Sequence, residues 1–273
     1  MPFNFFALRE KKLNKHEMKA GNLEVKIFNT RQEMGAKAAQ TVAAKIRELL
    51  KVKEFVNIIF ASAPSQNEFL AVLSEEKDIA WERINAFHMD EYVGLPADAP
   101  QNFGYFLKVR LFDKIPLHSI HYLNGNATDI EAECERYSKL LTDFPTDIVC
   151  LGIGENCHLA FNDPHVAFFD DPLIVKKVSL DEACRQQQVN DACFESLEEV
   201  PQDALTITIP ALLKAKYAYA IVPGVKKAEA IQHTIEDEIS EAFPSTTLRN
   251  HPEAILYIDK DSAGRLTETS SYK

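Results

Sequence analysis

Two rhythms of apolar residues alternate along the chain. Residues 22–28 switch between apolar and polar positions, as a half-buried strand does. Thr30-Arg31-Gln32-Glu33 then has capping-box spacing, and Ala36, Ala39, Val42, Ala43, Ile46 and Leu50 follow at helical intervals. Residues 55–61 are almost wholly apolar, the pattern of a parallel strand covered on both faces. That run stops at Ser62-Ala63-Pro64-Ser65 and passes into a helix carrying Phe69, Leu70 and Leu73. Further strands are predicted over 81–88, 148–151, 205–209, 217–222 and 254–258, and further helices over 103–112, 129–141 and 226–235. Strands alternating with helices define βαβ units and a mostly parallel sheet, an α/β fold. Residues 1–21 are mixed and charged and read as a surface arm. The remainder, 22–273, has no internal repeat, low-complexity tract or linker and reads as a single domain.

Composition narrows the partners. With 273 residues, 46% hydrophobic and 26% charged, the chain is long enough for a sizeable core and ordinary for a globular protein. Its formal charge of −11 argues against a nucleic-acid surface, so an anionic substrate has to be held by local cations against the global field. No apolar run approaches the roughly 20 residues that span a bilayer, and the first residues lack a signal-peptide pattern. Five cysteines, with no C-x-x-C pair, point to a reducing cytoplasm rather than a disulfide framework. The eight histidines show no metal-ligand spacing, so no metal and no cofactor are expected. A homo-oligomer is left open.

The candidate chemistry lies where strands end. In α/β proteins that edge of the sheet is where ligands and catalytic acids collect. The predicted strand ending at His88-Met89 runs into Asp90-Glu91-Tyr92-Val93-Gly94. If the strand continues, the two carboxylates point to opposite faces and at most one faces a site. Alone they read equally as a surface pair or as a general base shielded by Phe87 and Tyr92. The strand over 148–151 feeds Gly152-Ile153-Gly154-Glu155-Asn156-Cys157-His158, and Asp163 follows five residues later. Gly152 and Gly154 permit close backbone approach to a ligand. G-x-G-x-x-G is not completed, because Cys157 stands in its last place. A single histidine is more often structural than catalytic, but a histidine on a strand–glycine turn near a carboxylate favours function. The glycine-free Ser62-Ala63-Pro64-Ser65 stands where a helix N-terminus binds phosphate, or where a serine merely caps the helix. Lys226 and Lys227 after Gly224 read either as a solvated first turn or as a phosphate counter-charge, and Arg185 is a second candidate anion clamp.

Three ordered segments carry a family resemblance. Phe87-His88-Met89-Asp90-Glu91-Tyr92-Val93-Gly94-Leu95-Pro96 resembles the F-x-M-D-E-Y-V-G-L-P of glucosamine-6-phosphate deaminases, also called isomerases. Leu123-Asn124-Gly125-Asn126-Ala127 resembles their L-N-G-N-A, and the segment from Gly152 to Pro164 resembles G-x-G-x-D-G-H-I-A-F-N-E-P. The likeness extends over about 55–258. It implies a Rossmann-like fold with helices on both faces of the sheet. It also implies conversion of glucosamine 6-phosphate to fructose 6-phosphate and ammonia, without a cofactor.

Carried over residue by residue, the resemblance makes Asp90 the base for the C2 proton and His158 the group that opens the pyranose ring. Asp163 and Asn156 fall on the two carboxylate positions supporting that histidine. Lys227, in Gly224-Val225-Lys226-Lys227-Ala228, and Arg185 fall on phosphate-binding positions, with Ser62, Ala63 and Ser65 in the phosphate loop and Gly154 on the substrate turn. Glu91 is left to support the strand end or the His158 loop. Asn156 departs from an aspartate, and an amide can orient His158 but cannot offset an imidazolium. Asp163 is one methylene shorter than the family's glutamate, and a closer approach would supply that charge. Cys157 replaces a glycine, which predicts a turn without strongly positive φ. Pro164-His165-Val166 does not resemble the family's allosteric segment, so no such regulation is expected. The competing readings are a 6-phosphogluconolactonase-like hydrolase, which shares a glycine–histidine loop of this type, and a non-catalytic sugar-phosphate sensor.

Overall fold

The computed structural model describes residues 17–96 and 98–267. The chain runs β1 (Glu17–Ala20), β2 (Leu23–Phe28), α1 (Arg31–Leu49), β3 (Val56–Phe60), α2 (Asn67–Glu75), β4 (Ile84–His88) and β5 (Asp90–Tyr92). Next come α3 (Phe103–Arg110), β6 (Ser119–His121), α4 (Ile130–Asp143), β7 (Ile148–Leu151), β8 (Val175–Ser179) and α5 (Glu182–Asn190). The last elements are β9 (Asp203–Ile207), α6 (Ile209–Leu212), β10 (Tyr217–Val222), α7 (Ala228–Glu236) and β11 (Ala254–Asp259).

Eight strands form one sheet in the order β1-β2-β11-β10-β7-β3-β4-β6, parallel except for the β1–β2 pair. Alternate side chains of each strand face opposite layers. Ile58 and Phe60 of β3, with Ile84, Ile148 and Ile221, pack against Val42 and Ile46 of α1, Phe69 and Leu73 of α2, and Leu107 of α3. Ile59, between them, joins Phe87, Val149 and Leu256 against Tyr137 of α4 and Ile231 of α7. Helices therefore cover both faces, and the near-continuous apolar runs of β3, β7 and β10 are a direct consequence. The Thr30 cap forms as its spacing predicts, its hydroxyl accepting the Glu33 N–H at 3.1 Å.

Three departures matter. Glu17–Ala20 pairs antiparallel with β2, so the expected arm over 1–21 gives its last residues to the sheet, and 1–16 lie outside the described residues. A second, antiparallel sheet of order β5-β9-β8 is present, and the strand expected over 205–209 belongs to it rather than to the parallel sheet. Residues 182–190 form α5, with Asp181 as its N-cap. Among the described residues no helix is long and apolar enough to cross a membrane.

The topology places the site. From β3 the chain steps outward through β4 and β6, then returns to lay β7 on the other side of β3. The loops after β3 and β7 thus diverge from neighbouring strands and leave a crevice at their carboxyl ends. After β4, only Met89 separates the parallel sheet from β5, and its carbonyl accepts the Ile207 N–H at 2.8 Å. The chain changes sheets at Asp90, directly over that crevice.

Candidate active site

The pocket in the crevice is lined by Ser62, Ala63 and Ser65 after β3, by Asp90, by Gly154 and His158 after β7, and by Lys227 after β10. These are seven of the ten site residues expected from the sequence. Asn156 and Asp163 stand beside the His158 Nδ1 rather than on the lining, and Arg185 is placed elsewhere altogether. Its guanidinium donates to the carbonyls of Leu197 and Val200, at 3.1 Å for the shorter Val200 contact, and it does not line the pocket. The face of α5 that does so carries Gln187 and Gln188, with Asp191 just beyond its end. Lys226 is also spent elsewhere, on the carbonyl of Asn190 at 2.6 Å.

Asp90 and Glu91 divide as strand alternation requires. Glu91 turns away from the pocket and accepts three backbone N–H groups, of Tyr92 and Phe103 at 3.0 Å and of Gly104 at 2.9 Å. It thereby anchors the exposed donors at the N-terminus of α3. Burial nevertheless pushes its carboxyl up to about 7, against those hydrogen bonds. Asp90 is 6% exposed and faces the pocket. Burial first, and the neighbouring Glu91 charge second, raise its carboxyl well above the ordinary carboxylate range. Its backbone is fixed by His88, whose Nε2 accepts the Leu123 N–H at 2.9 Å, which leaves Nδ1–H to donate to the Asp90 carbonyl at 3.0 Å. Burial lowers His88 to about 4, so it stays a neutral brace. This brace ties the Asp90 motif to Leu123-Asn124-Gly125.

The β7 loop builds the second catalytic candidate. The Gly154 N–H donates to the His158 carbonyl at 3.0 Å, and the Cys157 N–H to the Gly154 carbonyl at 3.0 Å. Contrary to the expectation for a non-glycine, Cys157 adopts φ +69°. A left-handed residue other than glycine costs roughly 1–2 kcal/mol. The thiol is a buried filler, 1% exposed with Sγ 3.8 Å from the Ala230 carbonyl, and burial pushes it up to about 11. His158 Nδ1 lies 2.7 Å from Asn156 Oδ1 and 3.2 Å from Asp163 Oδ1. Both are acceptors, so Nδ1 carries the proton and Nε2 keeps its lone pair.

Asp163 is fully buried. Burial alone would raise its carboxyl, but hydrogen bonds from His158, Asn156 and the Asp181 N–H, together with the His158 charge, hold it below the ordinary range. The negative charge missing at Asn156 is therefore supplied by Asp163.

On the same pocket wall, Ser62 is 4% exposed and its Oγ has no hydrogen-bond partner. Lys227 is also buried, and its ammonium has no hydrogen-bond or ion-pair partner among the described residues. Burial lowers its pKa, and the carboxylates of Asp191 and Glu155 partly restore it. An unsatisfied hydroxyl and an unpaired buried cation at the end of a strand are groups awaiting an anion. His158, Asp163 and Cys184 also approach one another within 4.8 Å, but the His158 Nδ1 and both Asp163 oxygens are already committed to the hydrogen bonds above.

A doubly wound sheet with a buried carboxylate, a partnered imidazole and an unpaired lysine at its carboxyl edge defines an α/β enzyme pocket with candidate acid–base groups. Residues 29–257 match the family of glucosamine-6-phosphate isomerases/6-phosphogluconolactonase, and the chain belongs to that family. A glucosamine-6-phosphate deaminase of Bacillus cereus (strain B4264) is 35% identical over 223 residues, 82% of this chain and 83% of that protein. The deaminase of Bacillus anthracis (strain A0248) matches equally, at 35% over 223 residues. Among solved structures, a monomeric glucosamine-6-phosphate deaminase superposes with a TM-score of 0.80 at 31% identity, covering 88% of this chain and 98% of that one. A 6-phosphogluconolactonase from Thermotoga maritima gives 0.71 at 20% identity, over 86% and 99%, a likeness of fold alone.

Proposed function

We propose that the chain isomerises and deaminates an amino-sugar phosphate, converting glucosamine 6-phosphate and water to fructose 6-phosphate and ammonia. The observation that carries this reading is that Asp90, a buried carboxylate with a raised pKa, and His158, with Nε2 free, line one pocket together with Ser62 and Lys227. The Bacillus relatives, at 35% identity over most of both chains, support the same substrate.

Ser62 and Lys227, with the backbone of Ala63 and Ser65, hold the phosphate. That remote anchor places the sugar ring against the two catalytic groups and supplies orientation. His158 Nε2 takes the proton of the anomeric hydroxyl and returns it to the ring oxygen as the C1–O5 bond breaks, leaving the open-chain aldehyde. The transient imidazolium is stabilised by Asp163 at 3.2 Å. Asp90 then removes the C2 proton, and with proton uptake at O1 an enolamine forms. Return of the proton from Asp90 to C1 gives an iminium at C2, which water hydrolyses to the ketone and ammonia. A carboxylate with a raised pKa suits this work, because it is basic enough to take a carbon acid's proton and returns it readily.

The test is a turnover screen. Ammonia release from glucosamine 6-phosphate supports the proposal. Hydrolysis of 6-phosphogluconolactone without ammonia release from amino sugars would move the chain to the other branch of its family, and tight sugar-phosphate binding with no turnover would make it a sensor.

A further inference from the structure

The amide of Asn156 has two possible orientations, and they impose opposite tautomers on His158. With oxygen toward Nδ1, the imidazole carries its proton on Nδ1 and offers Nε2 as a base. With nitrogen toward Nδ1, the shorter contact at 2.7 Å loses its acceptor and favours the proton on Nε2, against Asp163 at 3.2 Å alone, and the base is weakened. In a serine-protease triad, where asparagine put in place of the aspartate faces the same choice, the wrong tautomer costs about 10⁴ in kcat. A chain with asparagine here therefore needs something to fix the amide.

Two carboxylates do so. Asn156 Nδ2 lies 3.0 Å from Asp163 Oδ1 and 3.0 Å from Asp181 Oδ2. A carboxylate only accepts, so an amide oxygen cannot occupy that place, and the two amide protons are taken one by each. The amide oxygen is left for His158, accepting from Nδ1 at 2.7 Å and from the His158 N–H at 3.2 Å. Asp181 is itself held in place: Oδ1 caps α5 by accepting the Cys184 N–H at 2.6 Å, and its N–H donates to Asp163 Oδ2 at 3.0 Å.

We infer that Asp181 is a positioning residue for His158, which locks the Asn156 amide and with it the Nδ1–H tautomer. The inference rests on the deaminase reading only for the catalytic consequence. The same residue starts α5, so the helix that brings Gln187 and Gln188 to the pocket is hung from the group that sets the imidazole.

Asp181→Asn keeps the shape and the helix cap but turns the second acceptor into an NH₂ facing the Asn156 NH₂. The expected result is a kcat lower by about tenfold or more, bounded by the serine-protease loss, with KM for glucosamine 6-phosphate unchanged. The double variant Asp181→Asn/Asn156→Asp restores kcat, because a carboxylate at 156 accepts from both the new amide and His158. Nitrogen-15 NMR of the imidazole reads the tautomer directly: Nδ1–H in the wild type, a mixture with Nε2–H in Asp181→Asn. Asp181→Ser, which keeps a cap but shortens the acceptor, serves if the first variant does not fold. A kcat within about twofold of wild type together with an unchanged tautomer overturns the inference. So does a fall in kcat that Asn156→Asp does not rescue and the tautomer does not share. If the wild type turns over no amino-sugar phosphate, the functional reading fails while the NMR comparison still decides the role of Asp181.

Discussion

The imidazole of His158 lies against the α-carbon of Gly154. A β-carbon built on that glycine would stand 2.2 Å from Cε1 and 2.3 Å from Nδ1. No flexible tail can give way there, because the ring itself is the obstacle and its Nδ1 is pinned by Asn156. Gly154→Ala therefore displaces the ring. A shift of about 1 Å is expected to lower kcat on the order of 10²-fold. Steady-state kinetics on a folded variant, checked by circular dichroism, measure it, and wild-type kcat would show that the ring need not rest there.

Lys227 and Arg185 separate binding from scaffolding. Lys227→Met removes the unpaired buried cation, and loss of one charge-assisted contact, worth about 1.5–3 kcal/mol, raises KM for the sugar phosphate by roughly 10- to 150-fold. Arg185→Ala removes bonds to the Leu197 and Val200 carbonyls, of which Leu197 keeps only the Val200 N–H at 3.3 Å. It should lower the melting temperature and leave KM within about threefold of wild type. Matched kinetics and thermal melts on the two variants check the pair.

Asp90 is costly to the fold. Its carboxyl and that of Glu91 are raised in the folded protein, Glu91 to about 7. The folded state thus holds protons that the unfolded chain releases near pH 4, so ionising the pair destabilises the protein as pH rises from about 4 towards neutrality and beyond. Asp90→Asn abolishes that part of the penalty. Its melting temperature should exceed the wild type's at pH 8, by about 2–4 °C per kcal/mol relieved, with the gap closing towards pH 4. In the wild type, kcat/KM should fall as pH drops through a pKa above the ordinary carboxylate range, because the base works only when ionised.

Asn156→Asp places a carboxylate oxygen where Nδ2 now meets Asp163 and Asp181, both at 3.0 Å. Two attractive contacts become repulsive, and the expected cost is about 1–3 kcal/mol. Repulsion raises the cluster's folded pKa, so the loss is small near pH 4 and largest above neutrality. No gain in kcat is expected, since Asp163 already supplies the charge. Chemical denaturation at pH 5 and pH 8 reads the difference.

Much of the fold and site is legible in the residues, for identifiable reasons. β3, β7 and β10 are buried on both faces and so appear as almost wholly apolar runs, with Asn57 the polar interruption in β3. β8, Val-Lys-Lys-Val-Ser, buries only two positions fully and interrupts them with two lysines, so it leaves no such run. β5 has three residues, too few for a period, so the strand legible over 205–209 carries no sign of the separate sheet that it joins. α5 turns glutamines rather than apolar residues to the pocket, so its helical face has no hydrophobic signature. The Asp181 cap, three residues before Cys184, is the signal available. Arg185 reads as an anion clamp because its charge is visible in the sequence, whereas the carbonyls of Leu197 and Val200 that occupy it are not. The orientation of Asn156 depends on Asp181, 25 residues away, and no local motif encodes it.

The most direct measurement is ammonia release from glucosamine 6-phosphate by the wild type and by Asp90→Asn, under the same saturating conditions. Turnover by the wild type, reduced by about 10²- to 10⁴-fold in the variant as expected for loss of a general base, is the predicted result. Release at the wild-type rate by Asp90→Asn would contradict the proton-transfer role, and no release by the wild type would contradict the deaminase reading itself.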